Sequence, residues 1–178
     1  MTNYRRDYTK GGVYFFTVNL QNRRRDWLVR YMDEFRAAYR ETLEHYPFET
    51  LAITILPDHF HCVVKLPEGD DDYSRRMRVL KTNFSKRLPH HCRQPNRSQS
   101  LRGELGIWQR RFWEHKIRDD ADLENHIFYT YYNPVKHGYV SQVSDWAHSS
   151  FHRDVERGLF PVHWGAGLPI SVRDLYQD

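Results

Sequence analysis

Leu51 to Leu56 and His59 to Leu66 are two short apolar runs joined by Pro57-Asp58, and they restrict the fold more than any other segment of the chain. Proline presets φ and aspartate bonds its own neighbouring backbone, so the pair is turn chemistry suited to a tight hairpin. In the second run a strand's period of two puts Phe60, Cys62, Val64 and Leu66 on one face, which is a core face. His59 and His61 then share the opposite face, with imidazoles close enough to hold one divalent ion. Taken alone, the pair fits two hydrogen-bonded polar residues somewhat better than a metal site.

The remaining elements arrange themselves around that hairpin. Val13 to Leu20 is a strand rich in aromatic and β-branched residues, opened by Gly11-Gly12 and closed before Asn22-Arg23-Arg24-Arg25. Leu28, Met32, Phe35, Tyr39, Leu43 and Tyr46 recur at helical spacing as one apolar stripe that Pro47 ends. After the hairpin, Asp70, Asp71 and Asp72 cap a second helix with the stripe Tyr73, Met77, Leu80, Phe84 and Leu88. Pro89 to Gly103 has no periodicity and is expected to be a mobile basic loop, and its His90-His91-Cys92 has no second ligand pair at a fixed spacing. Phe112 to Ile117 is a fourth strand candidate. Asp119-Asp120 cap a third helix, expected to end near Asn133 because Pro134 disfavours helical geometry in the residue before it. The order βαββαβα makes the class α+β, a ferredoxin-like antiparallel sheet with helices. One domain over residues 1–178 is expected, its tail from about Val140 packing on the third helix through Trp146, Phe151 and Phe160.

Charge favours an anionic partner. The 27 Lys and Arg against 23 Asp and Glu give a net charge of +4. From Tyr73 through Gly103 there is no carboxylate, whereas nine Arg and Lys, Arg75 and Arg78 among them, fall inside that window. A solvated basic face explains such a run as well as a polyanion does. Aromatic residues interleave with cations in Tyr4-Arg5-Arg6 and Arg110-Arg111-Phe112-Trp113, as in surfaces on which bases stack. Two cysteines make no disulfide framework, and neither an apolar signal segment nor a membrane-spanning apolar run is present, so a soluble, cytoplasmic protein is expected.

The third helix shifts the balance for the histidine pair. Leu123, Ile127 and Tyr131 form its apolar stripe, while Asp122, His126, Tyr129 and Asn133 follow at intervals of four, three and four on another side. Tyr129 and Asn133 are therefore one turn apart. Asn133 can offer its amide oxygen to a metal while Tyr129 turns its hydroxyl toward whatever that metal binds; Tyr131 and Tyr132 fit the plainer reading of a Tyr-rich helix end.

These residues carry a family resemblance. His59-Phe60-His61 resembles the His-hydrophobe-His motif of HUH nucleases, and Tyr129 with Asn133-Pro134-Val135-Lys136-His137-Gly138 resembles the tyrosine motif of REP-associated tyrosine transposases. Tyr4-Arg5-Arg6, Lys10-Gly11-Gly12, Phe16 to Leu20, Leu66 to Asp72, Trp108-Gln109, Arg111 to His115 and Ser149 to Gly158 are similar to the same group. The resemblance implies an HUH nuclease fold, a divalent metal (Mg2+ or Mn2+) held by His59, His61 and Asn133, and Tyr129 as nucleophile. It also implies a substrate: a single-stranded REP hairpin flanked by a short guide sequence. It implies a monomer.

Tyrosine attack on a phosphodiester would leave a 5′-phosphotyrosine and a free 3′-hydroxyl, which can later reseal DNA without ATP. His126 is a possible base, although a surface hydrogen bonder fits it better. The cations expected to contact DNA are Arg5, Arg6, Lys10, Arg75, Arg78, Arg110 and Arg111. The competing reading is a non-catalytic nucleic-acid-binding domain with a structural ion. A replication initiator or relaxase usually continues into further domains, and a non-nucleic metal hydrolase lacks a carboxylate beside the histidines. A Tyr129 ring that is buried, or far from the imidazoles with no movement able to bring them together, would end the nucleophile assignment.

Overall fold

Strands β1 (Val13–Asn19), β2 (Glu49–Ile55), β3 (His59–Lys65) and β4 (Trp113–Lys116) form one antiparallel sheet in the order β2-β3-β1-β4. The computed structural model describes residues 8–166. Central strands β1 and β3 pair in a register that sets Thr17 opposite His61 and Asn19 opposite His59. Across β1 the same rows continue into β4, with Thr17 opposite Trp113 and Phe15 opposite His115.

Alternation along these strands creates two unlike faces. Tyr14, Phe16 and Val18 of β1 join Phe60, Cys62 and Val64 of β3 in the larger core. Two helices cover it, α2 (Met32–His45) through Phe35 and α3 (Tyr73–Arg87) through Met77, Leu80 and Phe84. Complete burial of each such side chain is worth roughly 1.5–3 kcal/mol, which makes this face the thermodynamic anchor of the sheet. The other face carries Phe15, Ala52 and Val63 under α5 (Asp120–Lys136), together with Val143 and with Phe151 of α6 (Phe151–Glu156).

Three local expectations need correction. The stripe from Leu28 to Tyr46 is not one helix: α1 (Trp27–Arg30) ends at Tyr31, whose φ of −113° and ψ of 47° are not helical, and α2 starts after it. Periodicity survives that break because the apolar side chains on both sides of it face the same core. Residues 89–103 are not irregular either. His90–Cys92 form a 3-10 turn and α4 (Arg97–Leu101) carries an Asn96/Gln99 capping box, with Cys92 and Gln99 buried.

Helix α5 also runs through Pro134 to Lys136 rather than stopping at Asn133. Gly138, at φ 73°, ends it instead. Tyr139 N donates to Pro134 O and Gly138 N to Val135 O, both at 3.0 Å, a Schellman closure that satisfies the last carbonyls and holds the turn beyond the proline.

Candidate active site

His59 and His61 project from β3 on the face under α5, and the ring centroids are 4.9 Å apart. Each imidazole is braced through Nδ1. His59 Nδ1 donates to Asp58 Oδ1 at 2.8 Å, and His61 Nδ1 is hydrogen-bonded to Thr17 Oγ1 at 2.9 Å. Asp58 is in turn held by Arg23, whose Nη1 donates to Asn19 Oδ1 at 2.8 Å. Partners on Nδ1 fix ring orientation and leave Nε2 as the atom that could ligate a metal, an arrangement like the outer shell of metal-binding histidines.

Electrostatics agree with a neutral His61. Burial pushes the His61 imidazole well below its ordinary value, with His59, His137, Lys136 and Arg23 acting in the same direction. Burial alone would raise the Asp58 carboxyl, but the hydrogen bonds from His59 and Arg23 overcome it and hold the group at about 2. Asp58 therefore stays an anion that orients His59.

Helix α5 supplies the rest. The Tyr129 ring lies 5.1 Å from the His61 ring, and two turns later the His137 ring lies 5.3 Å from that of His59. Asn133 sits midway between these two anchors and is fully buried. His61 Nε2 and both amide atoms of Asn133 are buried without a hydrogen-bond partner among the described residues. An unpaired buried polar atom costs about 1–3 kcal/mol, so three of them on β3 and on the facing side of α5 are open to a ligand. Two imidazole nitrogens and one amide oxygen fit a divalent ion that keeps open positions.

Tyr129 is 6% exposed, so the first of two conditions, either of which was to end the nucleophile assignment, is met in the protein without DNA; the second is not, because the ring packs on His61, and the assignment is kept on that proximity alone. Lys136 lies above the same ring, with Nζ 4.8 Å from its centroid and 3.4 Å from the hydroxyl, to which it donates. The polar stripe of α5 is thus its buried side. Tyr131, on the apolar stripe, is buried as that stripe requires, and its hydroxyl donates to Asp154.

His126 belongs to a neighbouring network. Its Nδ1 donates to Asp122 O at 2.7 Å, and its ring stacks on His115 at 4.5 Å. The ligand atoms of His115, Asp122 and His126 lie within 4.8 Å of one another. Asp122 Oδ2, however, already accepts from Arg118 N, Arg118 Nε and His115 Nε2 at 2.9, 3.0 and 2.9 Å. The guanidinium supplies the positive charge a second ion would bring, so the trio reads as a brace between β4 and α5.

The expected DNA contacts are scattered. Arg5 and Arg6 lie outside the described residues. Arg75 and Arg78 are exposed on α3, behind the sheet as seen from the histidines, and Lys10 lies before β1, at the opposite end of that strand from Asn19 and His59. Arg110 and Arg111 are exposed just before β4, close to that Asn19 end, where Gln109 N donates to Asn19 O at 3.0 Å. Thr17, Asp58, Arg23 and Lys136 received no role from sequence. Asp58 had a signal, its place directly before the histidine motif, but as part of a turn dipeptide it carried a sufficient explanation already.

No helix among the described residues is long and apolar enough to cross a membrane. Comparison with known proteins gives this geometry a context. The family model described as "Transposase IS200 like" matches residues 9–129. A Haemophilus influenzae protein of the REP-associated tyrosine transposase kind is 58% identical over 173 residues, covering 97% of this chain and 98% of its own. The REP-associated tyrosine transposase of Escherichia coli K12 is 49% identical over 168 residues, covering 94% of this chain and 93% of its own. A solved structure of a REP-associated tyrosine transposase bound to a REP hairpin superposes with a TM-score of 0.81 at 47% identity, covering 95% of this chain and 94% of that one. With a ferredoxin-like sheet, a histidine pair on β3 and a tyrosine-bearing helix laid across it, the chain belongs to the IS200-like transposase family and, within it, to the REP-associated tyrosine transposases, which are DNA nicking and joining enzymes.

Proposed function

We propose that the protein cleaves and rejoins single-stranded DNA at a REP-type hairpin through Tyr129, with a divalent metal held by His59, His61 and Asn133. The observation that carries this reading is the set of unpaired buried atoms, His61 Nε2 and the Asn133 amide, beside the Tyr129 ring. An ion bound there, Mg2+ or Mn2+, supplies Lewis-acid polarisation and alignment of the scissile phosphate. Asp58 and Thr17 keep His59 and His61 turned for ligation. Lys136 beside the Tyr129 hydroxyl favours the negative charge that grows on the oxygen as it attacks.

Bond making and breaking then balance simply. The Tyr129 oxygen forms a bond to phosphorus and gives up its proton, the bond from phosphorus to the 3′-oxygen breaks, and that oxygen is protonated to a free hydroxyl. The product is a 5′-phosphotyrosine. Return attack by a 3′-hydroxyl restores the phosphodiester and the phenol. Because Tyr129 is nearly covered, DNA entry must displace what lies over it. Arg110 and Arg111 are the DNA-contacting cations nearest this end of the sheet, Lys10, Arg75 and Arg78 would contact the hairpin away from the reacting phosphate, and Arg5 and Arg6 would add further DNA contacts.

The low exposure of Tyr129 is also what favours the second reading, a nucleic-acid-binding domain in which that ring only packs. Incubation with a hairpin oligonucleotide and Mg2+ or Mn2+ separates the two. A denaturation-resistant adduct is expected from the unaltered protein, absent from Tyr129→Phe and from His59→Ala, with hairpin binding retained in Tyr129→Phe. Cleavage that persists in Tyr129→Phe rejects the nucleophile, and binding without any adduct from the unaltered protein favours the second reading.

A further inference from the structure

Trp113 stands apart from the other large side chains on the histidine-bearing face of the sheet, being 47% exposed. It is on β4, and the rows of the sheet place it in line with the chemistry: Trp113 is opposite Thr17, and Thr17 is opposite His61. Two strand spacings, roughly 10 Å of backbone, separate Trp113 from His61. Phe15 fills the space between, 5.7 Å from the indole and 5.5 Å from the His61 ring.

The indole is also rigidly backed. It stacks on His115 with an interplanar angle of 8°, His115 stacks on His126 at 12°, and both histidines are tied to Asp122. Its described ring contacts are His115 along one side and the edge of Phe15, which leaves the remaining aromatic surface to solvent. Arg110 and Arg111 precede it in the chain and are exposed. A large π surface, held flat, partly open and flanked by two exposed cations beside a phosphate-reacting centre, has the features of a platform for a nucleobase.

We infer that Trp113 is a stacking site for one unpaired base of the DNA strand, a nucleotide close to the phosphate that Tyr129 attacks, with Arg110 and Arg111 on the adjoining backbone. This rests on the reading of the site as a DNA strand transferase, but binding can be measured without cleavage. Stacking tolerates any base, so the contact sets position along the strand rather than sequence.

The test uses the full chain in the Tyr129→Phe background without metal, so that failure to form an adduct has no bearing on the outcome. Two oligonucleotides are compared, a hairpin with a single-stranded flank and the same hairpin blunt. Trp113→Ala is expected to weaken binding of the flanked hairpin roughly tenfold and to leave the blunt one unchanged, while Trp113→Phe stays within about threefold of the parent. Replacing flank nucleotides one at a time with abasic sites should reveal one position at which the Trp113→Ala penalty vanishes. Equal effects on both oligonucleotides, or a penalty that no abasic site removes, overturn the assignment. Should Trp113→Ala fail to fold, indole emission decides: the flanked strand quenches it in the parent and not in Trp113→Phe, and quenching that persists in Trp113→Phe also overturns it.

Discussion

His59 and His61 each commit Nδ1 to a neighbour, which leaves the stability of the site dependent on two unlike partners, a carboxylate and a hydroxyl. Asp58→Ala removes the acceptor that orients His59; divalent-metal affinity by titration calorimetry is expected to fall about 10- to 100-fold, the usual effect of losing such a partner. The same residues contribute to the response to acid, alongside His126, His148 and Asp122, which are also lowered. His61 in the folded protein lies well below its ordinary 6.5, so the unfolded chain takes up a proton that the folded chain refuses. Its contribution is fully present above about pH 6.5 and is lost as pH falls below that value. Asp58, held at about 2 against 3.8, contributes fully above about pH 4 and loses that contribution as pH falls through 2. Urea unfolding of the metal-free protein should therefore show stability declining in two windows, and His61→Asn should flatten the upper one. An unchanged upper window in His61→Asn would place the titration elsewhere.

At the scale of elements, helix α5 is held at both ends by local chemistry. Asp119 caps it by accepting from Asp122 N at 2.8 Å, and Gly138 closes it in a left-handed conformation. A Cβ at Gly138 meets nothing within 4 Å, so Gly138→Ala is expected to cost only the conformational term, about 1 kcal/mol by thermal denaturation. Gly106 shares the positive φ, but a Cβ there comes within 2.7 Å of the Gln94 backbone. Gly106→Ala should cost clearly more, because α4 and the preceding turn would have to move away; equal costs at the two glycines would mean that segment yields freely. Pro134 was a poor stop signal for a related reason. A proline removes one N–H, but the cap, the ring contact between His137 and His59 and the Schellman bonds all lie beyond it and favour continuing.

For the whole molecule, the sheet's two edges are treated differently. Outer edge β2 is closed by the segment before and within α6: Ile55 N donates to His148 O, Ser150 N to Ile53 O, and Arg153 donates to Thr50 O and Leu51 O at 3.1 and 2.7 Å. Edge β4 is four residues long. Neither offers a long unpaired ladder to a second copy, so a monomer is expected by light scattering, and a stable dimer would show that another surface associates. Local pattern was enough for much of this. Alternation from His59 to Leu66 divides core from chemistry without any knowledge of partners, because a strand's period is a property of the backbone itself. Helical spacing likewise sets Tyr129 and Asn133 one turn apart. What lies across the strands is another matter. That Thr17 would brace His61, that the polar stripe of α5 would turn inward onto both imidazoles, and that Trp113 would remain open beside them depend on strand order and register. Those are settled by contacts between residues forty or more positions apart, and no local periodicity encodes them.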